Sequence, residues 1–393
     1  MRCAVYFNHY NTLGHSTRVL GLIRAIRRYI PNSQIVIFES GKTPSVLPLK
    51  QYARVYPVPY SIGQKGLAIE ENMGLYGAMI TSPRMQNMLL TRQAFMFKIL
   101  KKFQPDVFIT EHFPLGKEFW TFELPPLLER INKELPCKIV GSVGYLNAMD
   151  TTHAHVKAYY DRILVHAPKV FALKHVRKIP QPMAHNLACV LRDFKKQVVF
   201  TGFLLDKPKP GAGGPSLYPK GNFKKNIFVS RGGGIVCDEI LVAAIQAAER
   251  HKDWFFLICC GPATSVKDLA AYERMAQGLT NVRVIRALAV KDFDRAMADA
   301  DVCVSMGGYN TVLKLMYFQK RAVVVPFYTD EQRWRAELVL EYLPAVVVPD
   351  KEVSAGKLSW AMTKALFAPR PRKKIPAAWF DGGTVTAREL QCL

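Results

Sequence analysis

Short apolar runs alternate with stretches of helical spacing along almost the whole chain, and this alternation limits the fold more than any single motif. Cys3–Phe7 reads as a strand, and Arg18–Tyr29 follows with Val19, Leu22, Ile23 and Ile26 at helical spacing. Ile35–Phe38, Val107–Thr110 and Lys138–Ser142 read as further strands, with Arg162–Val165 and Val198–Thr201 as shorter ones. A stretch rich in Pro, Gly and Lys, "DKPKPGAGGPSLYPKGNF" (Asp206–Phe223), then breaks the rhythm and reads as a linker. The rhythm resumes with strands at Asn226–Ser230, Phe255–Cys259, Val282–Ile285, Val302–Ser305 and Ala322–Phe327, and helices at Asp238–Arg250, Val266–Gln277, Asp292–Asp299 and Thr311–Phe318. The fold class expected is α/β: two tandem doubly wound, Rossmann-like domains facing a cleft. The division expected is a domain over residues 1–205, a linker over 206–222, a second domain over 223–365 and a tail over 366–393 that packs back on the first domain.

In such sheets a ligand sits beyond the carboxyl ends of the strands, so the polar turns there are the candidate site. "FNHYNTLGHSTR" (Phe7–Arg18) places His15 after the first strand, with Gly14 for a tight turn and Ser16 and Thr17 as caps of a helix whose N-terminus favours anions. The same residues would serve a plain capping turn. "ITEHFPLG" (Ile109–Gly116) ends a strand with Glu111 and His112, a carboxylate beside an imidazole, which suits a general base and equally a polar loop. "IFVSRGGGIVCDEI" (Ile227–Ile240) offers the amides of Gly232 and Gly233 and the charge of Arg231 to a phosphate, or simply a tight turn. It matches neither the P-loop nor the dinucleotide-binding glycine fingerprint. In "VCVSMGGYNTVLKLMYFQKRAVVVPFYTDEQRW" (Val302–Trp334) one strand ends at the turn Gly307–Gly308 before a helix. The next strand ends at a loop carrying Asp330, Glu331 and Gln332.

Asp292 and Asp294 are spaced like a metal-gripping pair, but both fall in the first turn of a helix, where its dipole favours them, with Asp292 as the cap. His153 and His155 lack further ligands at a recognisable spacing. No metal and no cofactor are expected. Eight cysteines without a C-x-x-C pair read as buried thiols in a reducing cytosol. The polar N-terminus is not a signal peptide, and no apolar stretch is long enough to span a bilayer. The formal net charge is +23, and residues 1–205 hold 27 basic against 12 acidic side chains. Such a field draws phosphorylated substrates, acidic membrane surfaces or nucleic acid. Ile62–Lys102, rich in Met with Arg84, Arg92, Lys98, Lys101 and Lys102, reads either as a basic amphipathic stretch on a bilayer or as a helix with a solvated basic face.

Taken together, the G-H turn, the glycine loop after the linker and "SMGGYNTV…VVVPFYTDEQRWRA" resemble glycosyltransferases of the GT-B fold, family 28, the MurG-like group. The resemblance is specific from about Val282 to Glu337. It implies a nucleotide-sugar donor, UDP-linked, in the C-terminal domain and a lipid-linked or other anionic acceptor in the N-terminal one. It also implies an inverting, metal-independent hexosyl transfer. The expected setting is the cytoplasm, peripheral on the inner membrane face. By this resemblance Gly307, Gly308, Asn310 and Thr311 stand at the donor phosphates and ribose, Glu331 and Gln332 at the sugar hydroxyls, and Leu288 at the base. Gly14 and His15 match the N-terminal loop, with Leu13 in place of a glycine, and Lys314 stands where the family's ribose-binding Glu falls. The alternatives are a nucleotide-sugar hydrolase or epimerase on the same fold, a glycosyltransferase with a nucleic-acid acceptor, and a non-catalytic relative.

Overall fold

A computed structural model describes residues 1–9, 13–41, 43–59, 83–115, 123–145, 154–175, 191–192, 194–207, 215–221, 223–233, 236–327, 330–371 and 373–393. His153 and the side chain of His155 lie outside the described residues, as does Cys189.

Seven parallel strands form the first sheet: β1 (Arg2–Asn8), β2 (Gln34–Ser40), β3 (Arg54–Pro57), β4 (Val107–Glu111), β5 (Lys138–Val143), β6 (Arg162–Val165) and β7 (Val198–Phe200). Their order is β3-β2-β1-β4-β5-β6-β7. Six parallel strands form the second: β8 (Lys225–Ser230), β9 (Trp254–Cys259), β10 (Val282–Ile285), β11 (Val302–Ser305), β12 (Arg321–Val324) and β13 (Ala345–Val347). Their order, β10-β9-β8-β11-β12-β13, repeats the same winding. The expected α/β architecture of two doubly wound sheets is therefore present.

Helices on both faces explain why the strands are apolar runs. Along β1, Cys3, Val5 and Phe7 pack on one side with Val19, Ile23 and Ile26 of α1 (Leu13–Tyr29), while Ala4 and Tyr6 face the other side. There they meet the layer of α2 (Pro83–Phe103) and α3 (Leu124–Glu134). The short α4 (Lys169–His175) follows β6. The second sheet is covered on one side by α5 (Asp238–Ala248) and α10 (Ala355–Phe367), with α6 (Val266–Met275) packed on α5. On the other side lie α7 (Val290–Asp299), α8 (Tyr309–Tyr317) and α9 (Asp330–Tyr342). This second side shares its apolar cluster with the first lobe: Tyr145 meets Trp334 edge-on at 6.0 Å between ring centroids, and Phe171 meets Tyr342 at 5.9 Å.

The chain crosses between lobes twice. The two crossings touch: Phe203 N donates to Trp379 O at 2.6 Å, and Lys207 pairs with Asp381. α11 (Gly382–Gln391) then packs on α1 so closely that a Cβ on Gly383 would sit 3.0 Å from Ala25.

Several local expectations change. Ser16 and Thr17 lie inside α1 rather than capping it, because the apolar spacing begins a turn earlier at Leu13. Asp330, Glu331 and Gln332 open α9 instead of forming a loop, and β12 stops at Val324. α9 is wedged between the lobes with Trp334, Arg335, Ala336, Leu338 and Val339 buried, so its sequence lacks a clean polar face. Asp292 does not cap α7, whose N-cap is Ala289. Arg92, expected on a solvated basic face, is fully buried with Glu123, because its guanidinium also bonds Tyr6 Oη at 3.3 Å and Ser40 Oγ at 3.0 Å. Among the described residues, no helix is long and apolar enough to cross a membrane.

Candidate active site

Both sheets reverse their winding beside their first strand, and a crevice opens at each reversal. In the first lobe the reversal lies between β1 and β4, which brings His15, after β1, against Glu111, at the end of β4. In the second it lies between β8 and β11, whose paired ends at Ser230 and Ser305 lead into the Gly232–Gly233 and Gly307–Gly308 turns. The two crevices face each other across a cavity of about 160 Å³.

The first-lobe wall is formed by Leu13, Gly14, Thr17, Val46 and Leu47. His15 and Glu111 adjoin it without lining it, and Glu111, buried at 3% exposure, accepts from His15 Nδ1 at 2.8 Å. The carboxylate holds the proton on Nδ1 and so puts the ring's lone pair on Nε2, the tautomer a general base needs. Glu111 is itself paired with Arg18, one helical turn after His15, whose Nη2 lies 3.5 Å from His15 Nδ1. Arg18 is 2% exposed, and burial lowers its pKa to about 10 against the pull of Tyr309 and Glu331. Its guanidinium lies 5.7 Å from the Tyr309 ring of the second lobe. A Cβ at Gly144 would come within 2.3 Å of Arg18 Nη1, so the absence of a side chain at 144 makes room for the cation. His112, the third residue expected here, is buried with φ +63°, its ring 6.3 Å from that of His15.

On the second-lobe wall, Gly232, Gly233, Leu288, Gly308, Asn310 and Thr311 of the expected donor residues line the cavity, joined by Tyr309 and Lys314. Gly307 adopts φ +76°, which a side chain would strain, and so turns the chain into α8. Gly308 caps α8 without a side-chain bond, which leaves the first amides of the helix toward the cavity. The lobes touch at this point: Asn310 Nδ2 donates to Gly14 O at 3.0 Å, and Leu13, Gly14 and Thr17 line the same cavity.

The remaining expected residues brace the wall. Arg231 is buried and turned onto Cys260 O at 2.6 Å, Thr264 Oγ1 at 2.8 Å and Asp238, away from the cavity it was expected to charge. Gln332 Oε1 accepts from Phe327 N at 2.8 Å. Glu331 accepts from Arg335, whose Nε donates to Gly307 O at 3.0 Å.

Three features had escaped the sequence reading. Arg18 is the last residue of the "FNHYNTLGHSTR" stretch, and its spacing of three from His15 was the available signal. Asp294, read as a helix-dipole partner, is a buried counter-ion of Lys314, with burial pushing its carboxyl up against the pull of the ammonium. His9 Nε2 lies 3.2 Å from Glu39 Oε1 at the ends of β1 and β2, a pairing no local spacing reveals. Among the described residues, no cluster of three His, Cys, Asp or Glu side chains is placed to hold a metal ion.

Residues 226–378 match the glycosyltransferase family 28 C-terminal domain. No curated protein matches the chain. Among solved structures, the glycotransferase of kitacinnamycin superposes with a TM-score of 0.60 at 16% identity, covering 100% of this chain and 94% of the other. MurG of Acinetobacter baumannii superposes at 0.53 with 14% identity over the full length of both chains. The S. aureus MnaA–UDP structure gives 0.57 at 12% identity, over 98% of this chain and 94% of the other.

Proposed function

We propose that this chain, a GT-B glycosyltransferase with a family 28 C-terminal domain, moves a hexose from a UDP-sugar to a hydroxyl of a lipid-linked acceptor at the cytosolic membrane face, with inversion and without a divalent metal. The observation that carries this reading is the His15–Glu111 pair, 2.8 Å apart, with His15 next in the chain to Gly14, which lines a cavity shared with the N-terminus of α8.

In this reading the diphosphate lies against the amides of Gly308–Thr311 and the turn at Gly232–Gly233. The base rests near Leu288, which lines the cavity. As the glycosidic bond breaks, negative charge grows on the diphosphate. Helix amides fixed in advance stabilise it. His15 Nε2 takes the proton of the acceptor hydroxyl, which attacks the anomeric carbon from the first-lobe side, opposite the leaving group. Glu111 stabilises the imidazolium that results. Glu331 and Gln332 stand close behind the Gly307 turn, within the wall the sugar would meet. The anionic acceptor is supported by the basic excess of residues 1–205.

The test is purified protein with a panel of nucleoside diphosphate sugars. UDP release that depends on acceptor, persists in EDTA and is absent in His15→Ala supports the proposal. A preference for another nucleotide, or loss of turnover on chelation, sinks the donor or the metal-free part of it.

A further inference from the structure

α10 carries a row of side chains with no function in the crevice. It packs on α5 and the second sheet through Leu358, Ala361, Met362 and Ala365, on the side whose apolar cluster is separate from the one shared between lobes. Its exposed residues are Trp360, Lys364 and Phe367, spaced four and three apart and hence on one stripe. Trp360 is 48% exposed and Phe367 is 81% exposed. The ammonium groups of Lys357 and Lys364 lie 5.1 Å and 4.8 Å from the Trp360 ring. From Val353 to Phe380 the chain has six Lys or Arg and no carboxylate residue, and of the six Lys357 pairs with Glu352 and Lys373 with Glu341. Arg370 and Lys374, just beyond the helix, are exposed.

We infer that this stripe docks the protein on an anionic bilayer surface, Trp360 and Phe367 entering the headgroup boundary and Lys364, Arg370 and Lys374 meeting lipid phosphates. Two large exposed aromatic rings flanked by cations are a poor surface for water and a good one for an interface that is apolar below and negative above. A surface on which cations outnumber carboxylates is drawn to a negative leaflet. The stripe gives a physical location to the membrane setting of the proposed lipid-linked acceptor and rests on that reading for its biological purpose, though not for its chemistry.

The experiment is sedimentation of the full chain with phosphatidylcholine vesicles, with and without phosphatidylglycerol, comparing wild type with Trp360→Ser/Phe367→Ser and with Lys364→Gln/Arg370→Gln. Wild type should bind only the anionic vesicles, and both variants should lose about tenfold or more in bound fraction while keeping their UDP-induced thermal shift. Wild type failing to bind anionic vesicles, or variants binding as well as wild type, overturns the assignment. So does a self-association that the aromatic variant abolishes without any vesicle binding. Vesicle binding through the stripe with transfer only to a soluble acceptor would leave the surface standing and remove the lipid-linked acceptor. Transfer to a lipid acceptor in detergent by a chain that ignores vesicles would do the reverse.

Discussion

Three side chains do unequal work around the proposed base. His15 adjoins the cavity wall at Gly14, Glu111 sets its tautomer and Arg18 pairs with Glu111. Replacing His15 by Ala should lower kcat by about 10²–10⁴ with little change in the melting temperature. Glu111→Gln should do comparable harm, since an amide N–H can turn the ring so that the proton sits on Nε2. Steady-state rates and melting curves on the same preparations check both, and a Glu111→Gln enzyme at wild-type rate would remove the tautomer argument. His166 supplies a pH effect on stability. It is held between Ser142 Oγ at 2.8 Å and Thr201 Oγ1 at 2.9 Å, and burial, then the nearby Arg18 charge, lowers its pKa to about 3. The unfolded imidazole takes a proton near pH 6.5 and the folded one does not. The stability due to His166 is therefore complete above that pH. It falls by about 1.4 kcal/mol per pH unit as the pH drops toward 3. Urea melts at stepped pH should show that slope, and His166→Gln should flatten it. At this scale the residues of the G-H and glycine turns could be read as a site because they follow strands. Which of them lean into the cavity could not, since Arg231 and Gln332 are drawn aside by partners distant in sequence or hidden in a turn.

Elements with a clear apolar period could be read almost to the residue: β6, β10 and β11 begin and end where their apolar runs do. α3 and α9 could not. α3 opens on Leu-Pro-Pro, which looks like a break, yet its prolines occupy the first turn, where a missing N–H costs nothing. α9 is buried on several sides, so its pattern has no single face. The Arg92–Glu123 pair ties α2 to the start of α3 and offers a test of that layer. Arg92→Met should cost about 3–5 kcal/mol by leaving a buried carboxylate alone, and Arg92→Met/Glu123→Leu should recover much of it. Chemical denaturation of the two variants decides this, and a double variant as weak as the single one would count against the pair acting as a unit. The turn at Gly232 is the more delicate element. A Cβ at Gly261 would press to 2.3 Å from Gly232 O, and Gly261 has φ +102°. Gly261→Ala should therefore weaken nucleotide binding by about tenfold or more while leaving acceptor binding unchanged, as titration calorimetry would show.

At the scale of the whole molecule, two sheets with the same strand order place their reversals face to face, which is why residues almost three hundred positions apart, Gly14 and Asn310, share a hydrogen bond. A ligand in that crevice grips both lobes. Nucleotide at about a hundred times its Kd should add about 2.7 kcal/mol to the stability of the folded chain in a single transition. A calorimetric trace in which only one of two transitions moved would show that the lobes respond separately. The doubling itself was visible from the linker and the resumed rhythm after it, whereas the contacts joining the lobes depend on three-dimensional closure and leave no periodic mark. The two crossings of the chain are stitched together at Phe203–Trp379 and Lys207–Asp381, so they form a single joint between the lobes. Under the proposed transfer, any opening about this joint would part Gly14 from Asn310 and draw His15 away from the second-lobe wall, so water entering then would meet the donor without a base beside it.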